Sequence, residues 1–128
     1  MPGLIKYTLE FPIQSSVNML FIRLSTASGL AEWFADDVNI KDKIYTFIWE
    51  GYQQEAKLIK IKKNYLIRFK WIEDDDNEKY TEFKIIRDEI TSDIALFITE
   101  FAKDEEEKKE QTDLWKKQIN NLKRTIGL

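Results

Sequence analysis

Adjacent carboxylates are the first residues in this sequence whose types could support chemistry. Asp36 and Asp37 stand side by side in the stretch GLAEWFADDV, and two acids that share a proton can act as general acid and base. Consecutive residues of a strand project to opposite faces, however. We therefore expect these acids to mark an exposed entry into a strand. The preceding aromatic pair, Trp33 and Phe34, is expected to anchor a short helical turn to the core rather than to line a cavity mouth.

A second group of acids, EDDDNE at residues 73–78, has the look of a calcium-binding loop. An EF-hand-type loop that began at Asp74 would need glycine at its sixth position and an acid at its twelfth, but Lys79 and Ile85 stand there. We expect a solvated hairpin tip and no metal site. The acids of DEEEKKE, residues 104–110, are expected to form the charged first turn of a helix.

The composition excludes several kinds of site. Histidine and cysteine are both absent, which removes disulfides, zinc sites and the Ser–His and Cys–His catalytic pairs. A net charge of −3 with dispersed basic residues is not typical of a nucleic-acid-binding protein. No apolar run approaches the roughly 18 residues of a membrane span, and no secretion signal is recognisable. We expect a cytoplasmic protein without a cofactor.

The elements that must position the aromatic pair begin with a strand and two short helices. Apolar residues alternate over residues 5–11, and Pro12 is expected to end this strand. Ser15 or Ser16 then provides the N-cap of a first helix, and Ser28 that of a second turn. The helical period is visible at Val17, Leu20, Phe21 and Leu24.

Residues 38–101 predict a series of antiparallel strands. The connections KDK, GYQQ, KN and EDDDNEK are short and polar, which suits hairpins and is too short for parallel crossovers. Along the strands, apolar residues alternate with mostly charged ones, so one face of the sheet should be apolar. The apolar sets are Tyr45, Phe47 and Trp49; Tyr65, Ile67, Phe69 and Trp71; and Thr81, Phe83 and Ile85.

The C-terminal segment predicts a long amphipathic helix. Its acidic start and its basic residues Lys123 and Arg124 near the end both suit the helix dipole. The order of elements is α+β, and the helix should cover the apolar face of the sheet. A chain of 128 residues is expected to form a single domain, residues 1–128. The apolar stripe of the helix is Trp115, Ile119, Leu122 and Ile126.

Several segments together resemble the START-like, or SRPBCC, superfamily. They are FPIQSSVNMLFIRLSTASGLAEWFADDV at 11–38, FIWEG at 47–51, IRFKW at 67–71 and DLWKKQINNLKRTIG at 113–127. The sequence is most similar to the domain of activators of heat-shock-protein ATPase and their bacterial relatives. The resemblance implies a helix-grip fold, in which a curved antiparallel sheet wraps around the C-terminal helix and often encloses an apolar cavity.

A set of inward residues provides the candidate wall of a ligand-binding cavity between sheet and helix. Pockets and packed cores are both largely apolar, so the sequence leaves open whether these residues enclose a cavity or fill a core. The hydroxyl of Tyr45 and the indole N–H of Trp49 or Trp71 would orient a ligand. The candidates are Tyr45, Phe47, Trp49, Phe69, Trp71, Phe83, Trp115 and Ile119, with Leu122 on the same helix face.

Three functions remain open at this point. The leading hypothesis is a noncatalytic domain that binds a small apolar ligand between sheet and helix. The second, implied by the resemblance, is a protein-interaction or chaperone-accessory domain. The third is an enzyme of the cyclase or hydratase kind, which would need an inward Asp, Glu, Lys or Tyr that the alternation does not place.

Phe97 raises the further hypothesis of a homodimer. By the alternation of a strand, Phe97 shares one face with Thr99 and Phe101, opposite Ile94, Leu96 and Ile98. If the second set faces the helix, Phe97 faces outward. An exposed aromatic side chain there would be a candidate contact between two copies of the chain.

Overall fold

The computed structural model describes residues 3–74, 76 and 78–126 and confirms the α+β helix-grip architecture. Seven strands form one curved antiparallel sheet in the order β1-β7-β6-β5-β4-β3-β2. No helix within the described ranges is long and apolar enough to cross a membrane. The elements are β1 (Ile5–Ile13), α1 (Val17–Ser25), α2 (Ala27–Ala31), β2 (Asp37–Lys41), β3 (Ile44–Trp49), β4 (Tyr52–Lys62), β5 (Leu66–Trp71), β6 (Thr81–Arg87), β7 (Ile94–Ala102) and α3 (Glu105–Thr125).

The first strand does not end at Pro12, so this prediction is wrong. β1 continues to Ile13 and pairs with β7 along its whole length, with Pro12 opposite Ala95. β1 is an edge strand, and an edge strand has one side without ladder hydrogen bonds. A proline can therefore remain in the strand, because its missing N–H costs no ladder bond when it lies on that open side.

A single residue, Thr26, joins the two short helices. Ser16 caps α1 as predicted, accepting a hydrogen bond from the Met19 amide at 3.1 Å. The second cap is Thr26 and not Ser28: its hydroxyl accepts from the Gly29 amide at 3.0 Å, while its own amide donates to the Ile22 carbonyl at 3.1 Å. One extended residue thus ends α1 and begins α2, which leaves Ser28 inside the second helix.

The concave face of the sheet is apolar and carries α3. Most of the predicted inward residues of β3, β5 and β6 are buried. Trp49 and Trp71 are half-buried, and Tyr65, which lies in the turn before β5, is 40% exposed. On α3 the stripe of Trp115, Ile119 and Leu122 is buried, as predicted. Asp104 caps this helix through the Glu107 amide at 2.8 Å, so the acidic segment forms its first turn.

Phe97 lies on the face of β7 opposite the buried residues Ile94, Leu96 and Ile98, as the alternation predicts. It is half-buried, because Glu10 of β1 and Lys84 of β6 stand on either side of it in register. The homodimer stays a hypothesis.

Candidate functional site

The turn after α2 is fixed to the core by its two aromatic side chains. Trp33 is 4% exposed and its indole N–H donates to the Arg23 carbonyl at 2.8 Å. Phe34 is also buried and stacks on Trp115 of α3, with ring centroids 5.9 Å apart. Phe34 in addition lines an open cleft beside α3. The anchoring role is therefore confirmed for both residues, but the expectation that neither lines a cavity is wrong, because Trp33 also borders a second open cleft together with Trp49 and Gln118.

The adjacent acids do not form an acid–base pair. Asp36 and Asp37 are both exposed. The carboxylate of Asp36 accepts from the Glu50 amide at 2.9 Å, and that of Asp37 accepts from the Val38 amide at 2.9 Å. Each carboxylate thus has its own backbone partner. Both mark the start of β2, as the sequence predicts.

An open cleft of about 460 Å³ lies where the first half of α3 meets the sheet. Its borders are the β3–β4 hairpin, the end of β5 and the end of β7. Tyr52 and Leu114, which are 60% and 58% exposed, stand among its lining residues, so the cleft opens to solvent. Its aromatic wall consists of Phe34, Trp49, Tyr52, Trp71 and Trp115, whereas the ring of Phe101, another lining residue, packs against Tyr80.

The residues predicted to bind a ligand divide into two groups. Trp49, Trp71 and Trp115 line the cleft. The others are buried in the packed core, where rings contact one another: Tyr45 and Phe69 lie 4.9 Å apart between ring centroids. Filled core and cavity, which the sequence left open, therefore coexist at two ends of the same interface. The core group is Tyr45, Phe47, Phe69, Phe83 and Ile119, together with Leu122.

The polar groups predicted to orient a ligand are already bonded within the protein. The hydroxyl of Tyr45 donates to the Ser25 carbonyl at 2.8 Å. The indole N–H of Trp49 donates to the Phe34 carbonyl at 2.9 Å, and that of Trp71 to the Thr81 hydroxyl at 3.0 Å. This prediction is wrong, because buried donors take the nearest backbone or side-chain acceptor when the core forms.

Glu100 is the functional candidate that the sequence reasoning missed. It lies on β7 with its carboxylate inside the cleft, where Oε1 accepts from the Thr81 hydroxyl at 2.6 Å. Since Thr81 itself accepts from Trp71, a chain of hydrogen bonds connects an indole of the wall to the carboxylate. The signal was present in the alternation: Ile98 faces inward, and Glu100 stands two residues farther along the strand.

The environment of Glu100 favours its protonated form. Burial raises the pKa of Glu100 to about 7, and the nearby Glu107 adds to the effect, while the Thr81 hydroxyl and Lys79 oppose it. Tyr7 lies opposite Glu100 in the ladder and donates its hydroxyl hydrogen to Gln111 of α3. Burial raises the pKa of Tyr7 to about 12. Near neutral pH, Tyr7 is therefore protonated, whereas Glu100 titrates.

The remaining charges of the cleft belong to an ion pair at its edge. Asp74 and Lys79 lie 2.8 Å apart. Although burial opposes the shift, hydrogen bonds from Lys79 and from the Asp76 amide lower the pKa of Asp74. Residues 75 and 77 of the EDDDNE segment lie outside the described residues. Within the described ones, no group of three or more carboxylates is placed to hold a metal ion.

Comparisons with known proteins agree on the family and the fold. A model of the START-like superfamily domain matches residues 1–128. A protein from Bacteroides fragilis, solved by NMR in solution, is 36% identical, with 98% of this chain and 93% of that chain covered and a TM-score of 0.70. A search of curated proteins finds no match.

More distant structures share the fold alone. The Aha1 dimer from Colwellia psychrerythraea is 15% identical over 97% of each chain, with a TM-score of 0.78. DynU16, a protein of the dynemicin biosynthetic locus, is 9% identical, with 93% of this chain and 46% of that chain covered and a TM-score of 0.75.

Proposed function

The chain belongs to the START-like superfamily, and on this premise we propose that it binds a small, largely apolar molecule in the cleft beside α3 without catalysing a reaction. The observation that carries the proposal is the aromatic wall of the cleft. Aromatic side chains offer a large apolar area at low cost in side-chain entropy, and ligand pockets are typically lined in this way.

The size of the cleft suits a molecule of a few rings. Its volume of about 460 Å³ lies within the usual range of roughly 300 to 1,000 Å³ for ligand pockets. A cavity of roughly 150 Å³ is enough for benzene. A naphthalene-sized body would therefore fit between the wall and α3, with one edge toward solvent.

The surroundings of Glu100 favour binding over catalysis. Its hydrogen bonds run to the Thr81 hydroxyl and to the Phe101 amide. Among the described residues, no second ionisable side chain joins these bonds. General acid–base chemistry usually divides two proton transfers between two positioned groups. A carboxylate that shares no hydrogen bond with another ionisable side chain is therefore better suited to recognise a ligand than to turn it over.

A protein-interaction role is the second candidate. Ile59 and Ile61 of β4 are each nearly half exposed, and exposed aliphatic residues on a sheet can contact a partner. Because the chain is similar to a protein described as a dimer, the partner proposed for this role is a second copy of the chain. Sedimentation velocity over a range of protein concentrations tests it, because a monomer at all concentrations would remove the homodimer.

The binding proposal is tested with a neutral apolar probe, 2-naphthylmethanol. The indole N–H resonances of the ¹⁵N-labelled protein report on each tryptophan separately. We expect saturable shifts for Trp49, Trp71 and Trp115, whereas Trp33, which is buried and bonded to Arg23, serves as the internal control. Native mass spectrometry of the freshly purified protein then shows whether a ligand from the cells is already bound.

Matched tyrosine variants make the test specific to the cleft. Tyr52 lies in the wall and stacks on Trp49 with ring centroids 5.2 Å apart. Tyr52→Ala should weaken probe binding severalfold, because it removes apolar contact area. Tyr65→Ala removes an equally large exposed ring away from the cleft and should leave binding unchanged. Equal effects of the two variants, or no indole shifts in the parent protein, would contradict the proposal.

A further inference from the structure

The carboxylate of Glu100 has unused capacity to accept hydrogen bonds. An ionised carboxylate offers about four acceptor positions. Oε1 receives the Thr81 hydroxyl at 2.6 Å, whereas the bond from the Phe101 amide to Oε2 is long, at 3.4 Å. At least one oxygen is therefore poorly satisfied, although Glu100 lines the cleft. Such a group stabilises the site only when a donor reaches it.

No cation of the described chain neutralises Glu100. The ion pairs of these residues do not include it, and the nearest attractive charge, Lys79, is paired with Asp74 at 2.8 Å. Asp74 and Lys79 cancel each other at the edge of the cleft. The charge left over in the lining is the carboxylate of Glu100, so the cleft is complementary to a ligand with one positive charge.

The aromatic wall favours the same kind of ligand. The faces of tryptophan and tyrosine rings attract cations, most strongly where water is partly excluded. Trp71 is linked to Glu100 through Thr81, and Trp115 of α3 also lines the cleft. A protonated amine on an apolar body would place its charge against both the rings and the carboxylate.

We infer that the cleft recognises an amine: the ammonium group of a ligand donates hydrogen bonds to Glu100 while its apolar body lies against the aromatic wall. This inference rests on the proposed binding function and names its ligand class. A carboxylate ligand would be repelled by Glu100, and a neutral one would leave the ionised carboxylate without a counter-charge.

The pH dependence of binding follows from the groups that face Glu100. They are Tyr7 from β1, Thr81 from β6, Lys79 from the segment before β6 and Glu107 from α3. Of these, Tyr7 remains neutral near pH 7 because burial raises its pKa to about 12. An ammonium ligand favours the ionised form of Glu100, so its affinity should rise severalfold between about pH 6 and about pH 8.

The experiment compares three probes that share one ring system: 2-naphthylmethylamine, 2-naphthylmethanol and 2-naphthoate. Affinities come from the shifts of the cleft indoles in the complete protein. At about pH 8, the amine should bind at least about tenfold more tightly than the alcohol, and the naphthoate most weakly. Glu100→Gln keeps the shape and the acceptor for Thr81, and it should remove most of the preference for the amine.

A matched control separates the site from the net charge. Glu55 is exposed on β4 away from the cleft, so Glu55→Gln changes the total charge equally and should leave the preference intact. If Glu100→Gln fails to fold, as judged by the Trp33 indole resonance, the pH profile of the parent protein decides instead. An amine-to-alcohol affinity ratio that stays near one from about pH 6 to about pH 8 overturns the inference.

The remaining outcomes distinguish this inference from the function on which it rests. Equal affinities for amine and alcohol, with the cleft indoles shifting, would overturn the amine preference and leave apolar binding in place. Tighter binding of the naphthoate would have the same meaning. An absence of indole shifts with all three probes would overturn both the inference and the proposed function.

Discussion

At the scale of single residues, Glu100 shows how a fold can tolerate a costly group at a site. Desolvation disfavours the ionised carboxylate, and the Thr81 hydroxyl recovers only part of the lost hydration. The protein therefore holds a carboxyl whose protonation changes near neutral pH. Groups with strongly shifted pKa values are concentrated at functional sites, which is why this residue stands out from the other acids of the chain.

The free energy of unfolding should depend on pH because of Glu100. Folding raises the pKa of Glu100 from 4.5 to about 7. The contribution of its protonated carboxyl to the free energy of unfolding is therefore fully present below about pH 4.5 and is lost as the pH rises through 7. The shift corresponds to at most about 3 kcal/mol. Urea unfolding of the parent protein and of Glu100→Gln tests this. As the pH rises through this window, the free energy of unfolding of the parent should fall relative to that of the variant. A pH-independent difference would contradict the assignment.

Predictions for single residues succeeded where burial follows from local spacing, and they failed where a residue's state depends on contacts with residues distant in the sequence. Burial of Trp33 and exposure of Asp37 follow from spacing and strand geometry alone. Glu100 could have been placed inward by extending the alternation from Ile98, but its unpaired state depends on Lys79 being held by Asp74. That pairing arises from the path of a loop, which no period in the sequence specifies.

At the scale of elements, the close approach of α1 and α2 explains the glycine in GLAEWF. A Cβ on Gly29 would lie 2.2 Å from the Ile22 carbonyl oxygen and 2.7 Å from the Arg23 Cα. Both neighbours are backbone atoms of α1, so they cannot rotate away as a side chain would. The short second helix can dock only because this position lacks a side chain.

Gly29→Ala should therefore be strongly destabilising although alanine is the better helix former. Forcing the two helices apart should cost about 3 kcal/mol or more in the free energy of unfolding. The measurement is chemical denaturation followed by tryptophan fluorescence. Gly3→Ala is the matched control, because a Cβ there has no atom within 4 Å. Similar stabilities of the two variants would show that α2 adjusts its position freely.

Element types were more predictable than element ends. The strand and helix periods identify the order of β1, the short helices, the antiparallel strands and α3. The cap at Thr26 and the continuation of β1 through Pro12 were missed, because both depend on tertiary context: the tight α1–α2 junction and the edge position of the strand. Local propensity carries no information about either.

At the scale of the whole molecule, α3 performs two tasks along one stripe. Toward its C-terminus, Ile119 and Leu122 close a packed core with residues of the sheet. Toward its N-terminus, Leu114 and Trp115 border the open cleft. The apolar stripe is continuous in the sequence, so its periodicity cannot reveal where the helix leaves the sheet. This is why the sequence predicted the interface but left open whether it was filled.

This division can be tested with two alanine substitutions on the same helix. Ile119→Ala removes a buried side chain from the packed end and should lower the free energy of unfolding by about 2 to 5 kcal/mol, with the affinity for 2-naphthylmethanol changing less than about twofold. Leu114→Ala removes a side chain that is 58% exposed. It should lower the free energy of unfolding by under about 0.5 kcal/mol and yet reduce the affinity for the probe. Denaturation and indole titration measure both quantities. If Ile119→Ala alters probe binding more than Leu114→Ala does, the core and the cleft are one connected cavity, and the ligand enters between sheet and helix as far as Ile119.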